Sequence, residues 1–215
     1  MSTHPHMIAA ESFVIIRQAL AERGVILAQP LAAVVERIIH TTADFEFADL
    51  VQTSPGAVEA GIRALQAGCV VLTDVEMVRV GINAQRLSHL GGTLHCLIAD
   101  AEVKSAATAN GSTRGTQSMR LAAARGLLDG SIVAIGNAPT ALDEVIRLVA
   151  NGARPALVIG VPVGFVGAAE SKAALSQVTA VPWLITSGRK GGSTIAVATI
   201  NALLRLAVGA GNDEL

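Results

Sequence analysis

Residues 158–172 read VIGVPVGFVGAAESK: an aliphatic run, a glycine-rich turn, small residues, then a glutamate and a lysine. A second glycine-rich segment, SGRKGGST, follows at residues 187–194, and a third polar segment, NGSTRGTQSMR, holds Arg114. Each lies where a strand-like run gives way to a helical pattern. Backbone N–H groups at a helix start carry partial positive charge, so a cation placed there is unfavourable by about 0.3–1 kcal/mol unless an anion joins it. Arg114, Arg189 and Lys190 all sit at such starts, and together they point to a multiply charged anion; singly, each also reads as an ordinary solvated side chain. The glycines of GVPVGFVG are spaced G-x-x-x-G-x-x-G, and the lysine of SGRKGGST precedes its paired glycines. Neither is a nucleotide fingerprint. Carboxylates fit these donors as well as phosphates do.

The second candidate is His40, in IIHTTADFEF. It ends an amphipathic helical pattern, PLAAVVERIIH, in which Leu31, Val34, Val35, Ile38 and Ile39 share one face. The negative end of the helix dipole is expected to raise the pKa of His40, which suits a general acid. A histidine at a helix end is also a common structural residue. His4 and His6 fall in an N-terminal tail expected to be mobile, and His89 and His95 lack Cys or carboxylate partners at ligand spacing, so no metal site is expected. A nucleophile elbow is missing as well.

The elements that must position these residues follow from the rest of the pattern. Five strand-like runs stand out, at 69–74, 94–99, 131–137, 156–162 and 182–188. Helical patterns separate them, one opened by Ser54-Pro55 and closed by Gly68, others over 116–128, 140–151 and 193–208. DAEVKSAATANGSTRGTQSMR reads as a long loop after the second run. Alternation of this kind argues for a three-layer α/β/α domain, residues 1–215, with a mainly parallel five-stranded sheet and an N-terminal helical elaboration. In such sheets ligands bind beyond the carboxyl ends of the strands, where the glycine-rich segments lie. The aliphatic composition, almost free of aromatics, fits strands buried on both faces.

A net charge of −1 and the lack of a basic, aromatic-interleaved stripe argue against nucleic acid. The longest apolar stretch is broken by Asn201 and Arg205, which argues against a membrane span, and the N-terminus lacks a secretory pattern. Cys69 and Cys96 read as two buried thiols, and a cytoplasmic location is expected.

On these residues the sequence resembles the precorrin-8X methylmutases, the precorrin isomerases of cobalamin biosynthesis. The matching stretches are SFVIIR (12–17), IIH (38–40), SPGAVEAGIRALQAG (54–68), LTDVEMVRVGI (72–82), TR (113–114), AIGNAPTAL (134–142), GVPVGFVGAAESK (160–172) and GRKGGS (188–193). The resemblance implies an isomerase that moves a methyl group from C-11 to C-12 of a contracted tetrapyrrole to give hydrogenobyrinate, without a cofactor. It implies that His40 protonates the macrocycle. It further implies that Ser12, Arg17, Thr41, Arg114, the turn from Gly164 through Gly167 and Ser171 to Lys172, and Arg189 line the pocket for a substrate with several carboxylate arms. Similar proteins are homodimers with sites at the subunit interface. Two features depart from the pattern: no tyrosine precedes SF, and the run around Arg114 is unusually polar. The cobalt-bearing substrate is the nearest alternative, then a non-catalytic corrinoid carrier, then a nucleotide-binding α/β domain.

Overall fold

The computed structural model of the chain describes residues 5–209. His4 and the side chain of His6 therefore lie outside the described residues. The chain opens with helices α1 (Pro5–Glu22), α2 (Leu31–Thr42) and α3 (Phe47–Leu50), then strand β1 (Val51–Thr53) and α4 (Ala57–Gln66). It continues through β2 (Val70–Thr73), α5 (Glu76–Gly81), α6 (Ala84–His89), β3 (Thr93–Cys96), α7 (Ala101–Ala109) and α8 (Arg114–Ala124). The last part comprises β4 (Ile132–Ile135), α9 (Pro139–Ala150), β5 (Leu157–Gly160), α10 (Ala168–Ser176), β6 (Trp183–Thr186) and α11 (Ser193–Val208).

The sheet has six strands, not five, in the order β1-β6-β5-β4-β2-β3. All neighbours are parallel except the edge strand β1, which runs antiparallel to β6. Ser54 takes part in that edge: its N–H donates to the Trp183 carbonyl, and its hydroxyl accepts the Trp183 N–H at 3.0 Å. It does not cap α4, which starts two residues past Pro55 behind Gly56. The expected long loop after β3 also differs. It contains α7, whose first turn is capped by Asp100 accepting from the Glu102 N–H.

Alternate strand residues enter two separate cores, as expected of a parallel sheet covered on both faces. Val71, Ile132, Ala134, Leu157, Ile159 and Leu184 pack with α2, α4 and α11. Leu72, Val133, Ile135, Val158 and Ile185 pack with α8, α9 and α10. In α2, Val34, Val35, Ile38 and Ile39 are wholly buried, so the stripe that fixes the helix against the core also fixes where His40 emerges. α11 is buried on nearly all sides by α2, α4, α5 and the sheet. Among the described residues no helix is long and apolar enough to cross a membrane.

Candidate active site

The sheet has a topological switch point between β2 and β4: the chain leaves β2 for β3 on one side and returns to β4 on the other. Ligand anions commonly sit at such a point, on backbone N–H groups at a helix start. Here the position is filled from within. Asp74, fully buried just past β2, accepts from the N–H groups of Gly136, Asn137 and Ala138 at 3.0, 2.8 and 2.8 Å, at the entrance to α9. Burial pushes its carboxyl up, against the three donors that favour the ionised form. The fold's customary phosphate position is thus closed by a carboxylate of the chain itself, a residue the sequence reading did not single out.

The open part of the carboxyl edge lies farther along, at the loops after β5 and β6, which are fastened together. The Gly192 N–H donates to the Val161 carbonyl at 2.8 Å and the Gly164 N–H to the Arg189 carbonyl at 3.2 Å. A Cβ on Gly191 would stand 2.3 Å from the Val161 oxygen, so only glycine admits this approach. Gly167 opens α10 at φ 78°, a left-handed value, and a Cβ there would lie 3.5 Å from the Pro139 side chain at the start of α9. Between these glycines Phe165 and Val166 stand 84% and 89% exposed, an apolar tip with the Arg189 guanidinium 5.7 Å from the Phe165 ring centre.

Ser171 and Lys172 lie beneath this turn, not in its surface. The Ser171 hydroxyl donates to the Ala168 carbonyl within α10. Lys172 is 0% exposed; its ammonium donates to the Lys190 carbonyl at 2.8 Å and approaches the Thr186 hydroxyl at 3.5 Å. Burial alone lowers its pKa, to about 8. The lysine supports the loop after β6 from below. Lys190 carries the connection outward: its ammonium meets Asp44 at 2.6 Å and Glu46 at 2.7 Å, in the turn that follows His40.

His40 is half-buried in the last turn of α2. Its ring stacks on Phe13 of α1, centroids 5.0 Å apart and planes 22° apart, and the Arg37 guanidinium lies 4.8 Å from the same ring. Burial, and after it the Arg37 charge, holds the His40 pKa below the ordinary histidine value. The direction is opposite to the rise expected from the helix end, with desolvation first and the Arg37 charge second as its causes.

The remaining candidates fall into two groups. On the helical side, Arg17 donates to Glu36 at 2.9 Å, while Ser12 and Thr41 donate to the Ile8 and Arg37 carbonyls one turn back, leaving each hydroxyl able to accept. On the loop side, Arg114 is the exposed first residue of α8, behind the N-cap Thr113. Thr113 bonds Thr140 at 2.8 Å, which sets Arg114 beside the start of α9. Lys190, with Asp44 and Glu46, is the link between the groups. Phe13 and Arg37 are not singled out by the sequence pattern; with four phenylalanines in the chain, the scarcity of aromatics is the signal that Phe13 offers. Among the described residues no cluster of His, Cys, Asp and Glu could hold a metal.

The pattern of the precorrin-8X methylmutases matches residues 7–206. A cobalt-precorrin-8 methylmutase of Priestia megaterium is 45% identical over 96% of this chain and 90% of its own. A precorrin-8X methylmutase of Pseudomonas aeruginosa is 44% identical over 78% of this chain and 80% of its own. The solved precorrin-8X methylmutase of Thermus thermophilus superposes with a TM-score of 0.87 at 46% identity, covering 98% of this chain and all of that one. With that agreement over nearly its whole length, the chain belongs to the precorrin-8X methylmutase family.

Proposed function

We propose that the protein isomerises a precorrin-8 macrocycle in cobalamin biosynthesis with His40 as the general acid. Membership of a family of methylmutases makes it an isomerase; the substrate and the roles of individual residues are the proposal. The observation that carries it is the setting of His40: a half-buried imidazole against an aromatic wall, joined through Lys190 to the loops of the sheet's carboxyl edge. The acid lends a proton to the ring, the C-11–methyl bond breaks as the C-12–methyl bond forms, and loss of a proton elsewhere restores the composition. No electron is gained or lost. With its pKa lowered, His40 is mostly neutral in the free protein near pH 7, so the acid form depends on negative charge brought by the substrate's carboxylate arms.

Arg17, Arg114 and Arg189, all exposed, suit those arms, with Ser12 and Thr41 beside them. The Phe165–Val166 tip suits the apolar face of the ring or a second subunit. Exposed Val14 and Ile15 on α1 and Met77 and Val80 on α5 support a homodimer with sites at its interface. The reading includes one domain spanning the chain and a cytoplasmic location, supported by the free thiols of Cys69 and Cys96.

The cobalt-bearing substrate is a second reading, favoured by the long match to the Priestia megaterium enzyme. Anaerobic incubation with precorrin-8X and, separately, its cobalt form decides between the two. Conversion of either supports the isomerase, and binding without conversion of both points to a carrier.

A further inference from the structure

The turn that follows His40 adopts an unfavourable backbone. Ala43, the C-cap of α2, has φ 53° and ψ 25°, and among the described residues it alone has a positive φ without being glycine. A Cβ disfavours that left-handed conformation, so the turn keeps it only where its surroundings fix it. Part of the fixing is local. The Ala43 N–H donates to the Ile39 carbonyl at 2.7 Å, the Thr42 hydroxyl accepts the Asp44 N–H at 3.2 Å, and the Asp44 carboxylate accepts the Glu46 N–H at 2.9 Å. The rest comes from two cations distant in the chain. Lys190, in the loop after β6, holds the carboxylates of Asp44 and Glu46. Arg23, just past the end of α1, lays its guanidinium over the ring of Phe45, 4.1 Å from the centre. Three consecutive side chains of the turn are thus gripped from outside, the middle one by Arg23. Phe45 is half-buried and packs against the core that α2 and α3 share. The attraction of a cation to a ring face requires the two to stay within about 6 Å, so the contact limits how far the turn can move.

We propose that Arg23 is a positioning residue: through Phe45 it fixes the turn at 43–46, and together with Lys190 it sets the end of α2 from which His40 projects. The grip on the turn stands on these contacts alone; its bearing on turnover rests on the reading of His40 as the acid. Because both cations act on one turn, loss of either relaxes the same strained backbone, and loss of the second adds little.

The test joins amide hydrogen exchange to steady-state kinetics on the precorrin-8 macrocycle, with Arg23→Met, Arg23→Lys and Lys190→Met in the full-length protein. Arg23→Met is expected to melt as the wild type does, while the Asp44 and Glu46 amides exchange at least about five-fold faster. Its kcat falls about five-fold with KM within a factor of about two, since the acid is displaced and the pocket is not. Arg23→Lys restores both readouts, because an ammonium also sits over a ring face. The double variant Arg23→Met/Lys190→Met loses far less than the product of the two single effects. In a Phe45→Leu background Arg23→Met has no further effect, because the ring through which it acts is gone. Wild-type exchange of the turn in Arg23→Met overturns the proposal, as do multiplicative effects in the double variant or a lysine variant no better than methionine. Faster exchange with unchanged kcat overturns the positioning role. If His40→Ala turns over at the wild-type rate, the acid reading fails, and the exchange result still decides whether Arg23 holds the turn.

Discussion

The ammonium of Lys190 lies 2.6 Å from the carboxylate of Asp44, four residues beyond His40, while its own carbonyl accepts from the buried ammonium of Lys172 at 2.8 Å. The link holds the Asp44 carboxyl below its usual range and the Lys190 amine above its own, in each case chiefly by the hydrogen bond they share. The groups are solvent-facing, so the pair contributes little to stability. Its effect is on position. Lys190→Met is expected to leave the melting temperature nearly unchanged while lowering kcat about ten-fold, since small misplacements of an acid are costly. Steady-state kinetics beside a thermal melt checks this; unchanged kcat would deny the link a part in positioning.

Lys172 is expected to show the opposite balance. Its folded pKa of about 8 lies below the unfolded value of 10.5. Between those values the unfolded chain binds more protons, so the lysine costs stability at neutral pH and the cost fades as pH rises from 8 to 10.5. The span corresponds to about 1–3 kcal/mol after allowance for solvent screening. Replacement leaves no group stranded, because the Thr186 hydroxyl still donates to the Lys190 carbonyl at 2.8 Å. Lys172→Met should therefore melt at or above the wild-type temperature at pH 7, with the difference closing near pH 10. A variant less stable than wild type at pH 7 would contradict this.

Asp74→Ala leaves three N–H groups at the entrance of α9 without an acceptor in a dry site, and should cost about 2–4 kcal/mol in urea unfolding. Asp74→Asn keeps one acceptor and should cost less. If the vacated cradle of Asp74→Ala gains affinity for inorganic phosphate that the wild type lacks, the internal carboxylate is the stand-in described above. Equal stability of all three proteins would refute it.

Gly191→Ala is expected to lose about 1–3 kcal/mol through overpacking against the Val161 carbonyl, and to weaken pigment binding as the two loops part. Urea unfolding and a pigment titration of the same protein measure both. Unaltered affinity would separate the loop contact from the site.

Strands β2, β4, β5 and β6 are legible because a strand buried on both faces must be a continuous aliphatic run, whereas the edge strand β3, with Thr93 exposed and the rest half-buried, is marked only by the apolar residues of LHCLIA. β1 is not legible: three residues on an edge, half-buried at Val51 and Thr53 and exposed at Gln52, show no pattern. α7 has no helical signature in the sequence because AEVKSAATA buries only Val103 and Ala107, too few to mark a face. His40 and the glycine turn declared themselves by residue type and place. The burial of Lys172 did not, since nothing local tells a lysine under a turn from one on it.

The most direct test of the central claim is a single-turnover absorption measurement, wild type against His40→Ala, mixed anaerobically with the precorrin-8 macrocycle. The account predicts rapid conversion to the hydrogenobyrinate spectrum by the wild type, and pigment bound by His40→Ala with the rate reduced at least a hundred-fold. Conversion by His40→Ala at the wild-type rate would contradict it.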